Sequence, residues 1–274
     1  MPKSESKSLI RDVRIVKNLK IKQDYYKLIL KAPQISRLGR PGQFINLRVN
    51  NGCQPLLRRP FSIHNITDSS VEILYEVVGQ ATKILSKRKK GAQVNIIGPL
   101  GNGFIYRTPH AARRTPILVA GGMGVAPLLF LAEKLRRGYP RAEITVLIGA
   151  RSKQEVFCEK EFNLLGCSVK ISTDDGTRGF KGRVTGLLRN VLCSKSDPRR
   201  PVRPAVIFAC GPRMMLEEVS RLSALHRVPA QVSLEEHMAC GIGACLGCAV
   251  NTKDGFKRAC KEGPVFDARQ IIWR

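Results

Sequence analysis

Four of the nine cysteines, Cys240, Cys245, Cys248 and Cys260, fall in the pattern C-x4-C-x2-C-x11-C. Four thiolates can supply every protein ligand of a [2Fe-2S] centre, and one class of such sites spaces its first three as C-x4-C-x2-C with a remote fourth. Gly241, Gly243 and Gly247 lie between the ligands, where a loop wrapping a cluster calls for positive φ angles and backbone N–H groups close to sulfur. Two other chemistries use cysteine sets. Structural zinc commonly pairs C-x2-C knuckles on both sides, and disulfides belong to oxidising compartments. The spacing here favours iron and sulfur over both. Cys53, Cys158, Cys167, Cys193 and Cys210 read as small buried hydrophobes or bystanders rather than ligands. Glu235 and Glu236, just before the first ligand, read as a solvated pair, and Trp273 as a packing anchor.

A second constellation is Gly121-Gly122-Met123-Gly124-Val125-Ala126-Pro127, which follows the apolar run Ile117 to Ala120 and precedes a helical pattern. Glycines let backbone approach the phosphates of a dinucleotide, and the start of the following helix offers unpaired N–H groups. The turn departs from G-x-G-x-x-G, which argues against an ordinary Rossmann fingerprint. A third constellation is Arg59-Pro60-Phe61-Ser62, followed by Gly79, Thr82 and the run Gly98 to Phe104. Arginine forks suit phosphate, and an aromatic ring suits a flat ligand.

These groups need elements to hold them. At 274 residues, two globular units with a small appendage are expected. The first hundred residues carry short β-branched runs between Gly, Pro and Asn clusters: Val13 to Val16, Tyr25 to Leu30, Gln43 to Val49, Val71 to Val78 and Val94 to Ile97. That texture predicts an antiparallel barrel or sandwich. From Thr115 it changes to alternating strands (Ile117 to Ala120, Ile144 to Ile148, Val169 to Ser172, Ala205 to Ala209) and helices (Pro127 to Arg137, Arg213 to Leu225), the pattern of a parallel α/β sheet. The expected domains are 1–110, 111–227 and 228–274, with a linker near Arg107 to Arg114. Thr115 to Leu131 is too rich in Gly and Pro for a spanning helix, and Met1 to Ser8 lacks the apolar core of a signal peptide, so a cytoplasmic location is expected.

Together, the R-x-[FY]-[ST] strand, the G-G-x-G-x-A-P turn and the Cys210-Gly211-Pro212 turn resemble the ferredoxin-NADP reductase superfamily. The resemblance implies an N-terminal antiparallel Greek-key barrel binding FAD, a parallel-sheet domain binding NAD and, here, a small C-terminal cysteine domain for the [2Fe-2S] centre. It assigns Arg59, Phe61, Ser62, Gly79 and Thr82 to FAD, and Gly122, Gly124 and Cys210 to NAD. No general base is implied. The stretch Ser233 to Cys248, with Cys260 to Asp267 downstream, is similar to the electron-transfer subunits of NAD-dependent dihydroorotate dehydrogenase. That likeness implies a separate FMN-containing catalytic subunit as partner, a hetero-oligomer, and a place in pyrimidine biosynthesis. A reductase subunit of a ferredoxin-dependent NADPH oxidoreductase or of a sulfhydrogenase would use the same sites with another partner.

The net charge of +26 allows a third reading, a basic zinc-containing module that binds nucleic acid. The basic runs, such as Lys87 to Lys90 and Arg199 to Arg203, carry almost no interleaved aromatics, which single-strand binding would want. They read as solvated surface.

Overall fold

The computed structural model describes residues 9–50, 52, 54–107, 114–194 and 204–273. Cys53, the basic run 199–203, the N-terminal 1–8 and all but the ends of the expected linker lie outside the described residues.

Contacts gather the chain into two units. The first comprises the chain through Gly103 with Glu236–Val250 and Lys257–Pro264. Its sheet holds seven strands: β1 (Leu9–Lys22), β2 (Tyr25–Lys31), β3 (Phe44–Arg48), β4 (Arg59–Ser62), β5 (Asn65–Ile66), β6 (Ser70–Glu76) and β7 (Gln93–Leu100). They are antiparallel in the order β4-β3-β7-β1-β2-β6-β5. The chain just after β4 draws the two sides together. The Ile63 N–H donates to the Gln43 carbonyl (3.0 Å) and the His64 N–H to that of Glu72 (2.8 Å), giving a half-barrel. Alternate residues of the strands, such as Val13 and Ile15 or Val94 and Ile96, fill its interior. Two short helices, α1 (Pro33–Leu38) and α2 (Gln80–Ser86), were not legible as apolar runs.

The second unit comprises Phe104–Glu235, Asn251–Phe256 and the chain from Val265 onward. Its sheet contains β8 (Thr115–Gly121), β9 (Thr145–Ala150), β10 (Ser168–Thr173), β11 (Phe180–Lys181), β12 (Ala205–Cys210), β13 (Ala230–Ser233) and β16 (Val265–Asp267) in the order β11-β10-β9-β8-β12-β13-β16. All neighbours are parallel except β13 and β16. Ile117, Leu118, Val119 and Ala120 of β8 are all buried, as a central parallel strand covered on both faces requires. Among the helices, α3 (Val125–Gly138) tolerates Pro127 because first-turn N–H groups have no acceptor within the helix; α4 (Glu159–Leu164) and α5 (Val184–Ser194) follow, and α6 (Arg213–Leu225) starts just after Pro212. Strands leave β8 in one direction and β12 in the other. Their adjacent carboxyl ends form the switch point at which open α/β sheets take ligands. The segment expected as a third domain, 228–274, contributes to both units and includes the hairpin β14 (Ala249–Thr252) and β15 (Gly255–Arg258).

Candidate cluster loop and nucleotide-binding turns

The four cysteines of the C-terminal pattern all belong to the first unit. Cys248 and Cys260 are buried, Cys240 is half-buried and Cys245 is exposed. The Cys240 sulfur accepts the backbone N–H groups of Ala244 (3.4 Å) and Cys245 (3.5 Å), and the Cys248 sulfur accepts the Cys260 N–H (3.5 Å). Burial pushes the Cys240 thiol up, but the N–H groups of Ile242, Cys245 and Ala244 outweigh it and bring the pKa down to about 6. Burial and the neighbouring Cys248 push Cys260 the other way, to about 12.

Backbone hydrogen bonds tie the cysteines in two pairs, the Cys245 N–H to the Cys240 sulfur and the Cys260 N–H to the Cys248 sulfur. Among the described residues no three His, Cys, Asp or Glu side chains are grouped as a single-ion site. Two cysteine pairs, with N–H groups already aimed at sulfur, fit the needs of a centre that places two thiolates on each of two irons. Gly241 and Gly243 take the expected positive φ angles, +70° and +86°. Gly247 does not; Leu246 has φ +61° instead, an uncommon choice for a residue bearing a side chain.

Sequence reasoning missed two braces on this loop. Asn46 of β3, fully buried, donates its side-chain amide to the Cys240 carbonyl (3.2 Å), and a Cβ on Gly241 would lie 2.4 Å from the same nitrogen. Arg258 donates to the Gly243 carbonyl (2.8 Å) and pairs with Glu262. A lone asparagine in an apolar strand carries no signal of such a partner.

The Arg59-Pro60-Phe61-Ser62 motif forms β4, antiparallel to β3 with Asn46 opposite Pro60. Its side chains are half-buried, and the Arg59 guanidinium donates to the carbonyls of Leu57 (2.8 Å) and Arg58 (3.2 Å). Phe61 packs edge-on against Tyr75, 5.8 Å between centroids, and Tyr75 stacks on Tyr26. Gly79 precedes α2 with open space where a Cβ would stand. Thr82 is committed to the helix: its hydroxyl accepts the N–H groups of Val78 (3.0 Å) and Gly79 (3.2 Å) and donates to the Gly79 carbonyl.

In the second unit, Gly121 ends β8, Gly122–Gly124 follows it, and Cys210 ends β12. Gly122 has φ +53° with no atom near its missing Cβ. A Cβ on Gly124 would lie 1.9 Å from the Cys210 carbonyl oxygen, so the two turns meet closely. Cys210 is buried and its thiol pKa is raised by burial, then by the charge of Glu235. Glu235 reaches solvent, yet dense surroundings raise its carboxyl, unlike an ordinary solvated carboxylate. Trp273 packs under the Arg213 guanidinium, 5.7 Å away. Of the other cysteines, Cys167 is buried like Cys210, Cys158 is half-buried and Cys193 is exposed, so burial describes the first two and not Cys193.

Two family models match this architecture. Residues 118–221 match an oxidoreductase NAD-binding domain, and residues 235–272 match the iron-sulfur cluster binding domain of dihydroorotate dehydrogenase B. The protein from Desulforamulus reducens named dihydroorotate dehydrogenase B (NAD(+)), electron transfer subunit, is 40% identical over 97% of this chain and 99% of its own length. The chain belongs to this family of electron transfer subunits.

Another dihydroorotate dehydrogenase B (NAD(+)) electron transfer subunit, from Clostridium acetobutylicum, is 38% identical over 94% of this chain and 96% of its own. An NADH-dependent reduced ferredoxin-NADP oxidoreductase structure superposes with a TM-score of 0.80 at 28% identity, covering 95% of this chain and 90% of that one. A ferredoxin NADP+ reductase from Neisseria gonorrhoeae (TM-score 0.65, 16% identity, 79% and 91% coverage) shares the fold. As a dihydroorotate dehydrogenase B electron transfer subunit, the chain is an oxidoreductase component with an iron-sulfur and an NAD-binding domain.

Proposed function

We propose that the subunit takes electrons from a catalytic partner that oxidises dihydroorotate on FMN, and passes them through its cluster and a bound FAD to NAD+, within pyrimidine biosynthesis. The observation that carries this reading is Asn46. It lies opposite Pro60 of the Arg59–Ser62 strand and also holds the Cys240 carbonyl, so the proposed flavin strand and the first cluster ligand are braced by one residue. The N. gonorrhoeae structure, of the same fold, contains FAD and NADP. When bound, the [2Fe-2S] centre supplies single-electron steps and the flavin supplies their conversion to a hydride.

The chain's own residues bind and orient. Cys240, Cys245, Cys248 and Cys260 ligate iron, and the N–H groups on the Cys240 and Cys248 sulfurs stabilise their negative charge. Arg59 neutralises flavin diphosphate, Phe61 packs on the ring system, and Ser62 offers a hydroxyl to it. Gly79 leaves room for the cofactor, and Thr82 acts by fixing the turn at Gly79. Gly122 and Gly124 bring backbone to the NAD phosphates, with Cys210 at the nicotinamide end. The site is expected to work in the cytoplasm; no helix among the described residues is long and apolar enough to cross a membrane.

The test is an absorption spectrum of anaerobically purified protein with iron, acid-labile sulfide and released-flavin assays. About two iron and two sulfide per chain with FAD support the reading; zinc without flavin overturns it. The likeness to the ferredoxin-NADP oxidoreductase favours a second reading with a different partner. Turnover of dihydroorotate with NAD+ by the reconstituted pair separates the two.

A further inference from the structure

Arg258 lies at the end of β15, two residues before the fourth cluster cysteine. Its carbonyl oxygen accepts three backbone N–H groups, from Lys261 (3.1 Å), Glu262 (2.9 Å) and Gly263 (3.2 Å), which wraps the turn carrying Cys260 around it. Its own N–H donates to Glu262 Oε2 (2.7 Å), and its guanidinium forks onto both oxygens of the same carboxylate. The remaining guanidinium nitrogen, Nη1, reaches the Gly243 carbonyl (2.8 Å), inside the loop that carries the other three cysteines. One side chain therefore ties the turn of the fourth ligand to the loop of the first three.

The charge matters as well as the tie. The side chains of Arg258 and Glu262 are 29% and 28% exposed, and Arg258 lies near enough to Cys260 and Cys248 for their charges to act on it after that of Glu262. A cluster gains one negative charge on reduction, so a fixed cation beside its sulfurs favours the reduced form and a fixed anion opposes it. An arginine fork holds its position better than a lysine point charge can.

We infer that Arg258 is a positioning residue for the cluster, which locks the fourth-ligand turn onto the three-ligand loop and, balanced by Glu262, sets how readily the centre accepts an electron. The inference rests on the reading of the four cysteines as ligands of a [2Fe-2S] centre.

The test uses the full-length subunit purified anaerobically, with iron and sulfide content, the spin-resonance signal of the reduced cluster, and its midpoint potential by dye titration. Arg258→Met removes the cation and leaves Glu262, so electron affinity falls at least tenfold, a shift of about 59 mV for one electron. Glu262→Gln removes the anion and moves the potential upward. Arg258→Lys keeps the charge and loses the fork, so its potential stays near wild type while iron is lost faster to a chelator. Opposite shifts in the first two variants support the inference. Potentials that stay at the wild-type value, or move in the same direction in both, overturn it. If Arg258→Met retains no iron, Glu262→Gln decides: an upward shift supports the inference and an unchanged potential overturns it. A wild-type subunit without iron and sulfide overturns the cluster reading itself.

Discussion

Asn46 donates its side-chain amide to the carbonyl of Cys240, 194 positions further along the chain. Its other polar atom, Oδ1, is buried with no donor among the described residues. An unsatisfied buried acceptor costs roughly 1–3 kcal/mol, so the fold carries an energetic penalty at the point where barrel strand and cluster loop are joined.

Replacing Asn46 separates the two halves of that balance. Asn46→Leu removes tie and orphan together, so the denaturation midpoint of cluster-free protein should shift by no more than about 1.5 kcal/mol equivalent. Asn46→Asp turns the donor into a carboxylate facing the Cys240 carbonyl and should cost about 3–5 kcal/mol, as an unpaired buried charge does. Equal midpoints would mean that the amide is not held against Cys240.

The two turn glycines should respond unequally. Gly124→Ala places a methyl group 1.9 Å from the Cys210 carbonyl oxygen and must spread the two turns. Flavin reduction by NADH should slow at least tenfold, about 1.4 kcal/mol or more. Gly122→Ala meets no atom and is strained only by its φ of +53°, roughly 1–2 kcal/mol. Stopped-flow traces showing Gly122→Ala as the slower variant would contradict this account.

Cys245→Ala should lose the iron-sulfur absorbance while released FAD stays near one per chain. NADH should still reduce that flavin, but electron flow from dihydroorotate through the partner should stop. Full coupled turnover by this variant would remove the cluster from the path.

Glu262 gives the cluster loop a pH dependence. Hydrogen bonds from Arg258 hold its carboxyl at about 2, below the ordinary 4.5, and outweigh burial. Because the folded value is the lower one, its contribution to stability is complete above about pH 4.5 and is lost as pH falls towards 2. Denaturation of cluster-free protein across that window should show a steeper loss in wild type than in Glu262→Gln. Parallel curves would rule the pair out as a contributor.

The net charge of +26 predicts salt-sensitive assembly. If the subunit docks on an acidic face of its partner, association should slow roughly tenfold or more from low to high salt as screening sets in. A rate independent of salt would place the charge elsewhere.

Much of this was legible because one period dominates each element. The apolar repeat of Arg213 to Leu225 gave α6 with its observed bounds, and Ile117 to Ala120 announced a strand, which the structure buries on both faces. Strand β1 was seen only as Val13 to Val16, since most of its remaining residues up to Lys22 face solvent, including the apolar Leu19 and Ile21, which join no core face. The thiol spacing and the glycine turn were equally plain, because covalent spacing and backbone freedom are properties of short segments. Asn46 and Arg258 were not. The partner of the first is remote in sequence, and Arg258 and Glu262, four positions apart, look like any exposed helical ion pair until the turn between them is known.

The division of the C-terminal segment limits how such subunits can be rearranged by recombination. Residues 236–250 and 257–264 pack with the barrel unit, whereas β13 and β16 complete the other sheet. A crossover near Val228 would therefore not deliver the cluster as a self-contained cassette; it would also strip the outer strands from the nucleotide-binding sheet. An engineered transplant of this segment has to carry β13 and β16 along with the four cysteines.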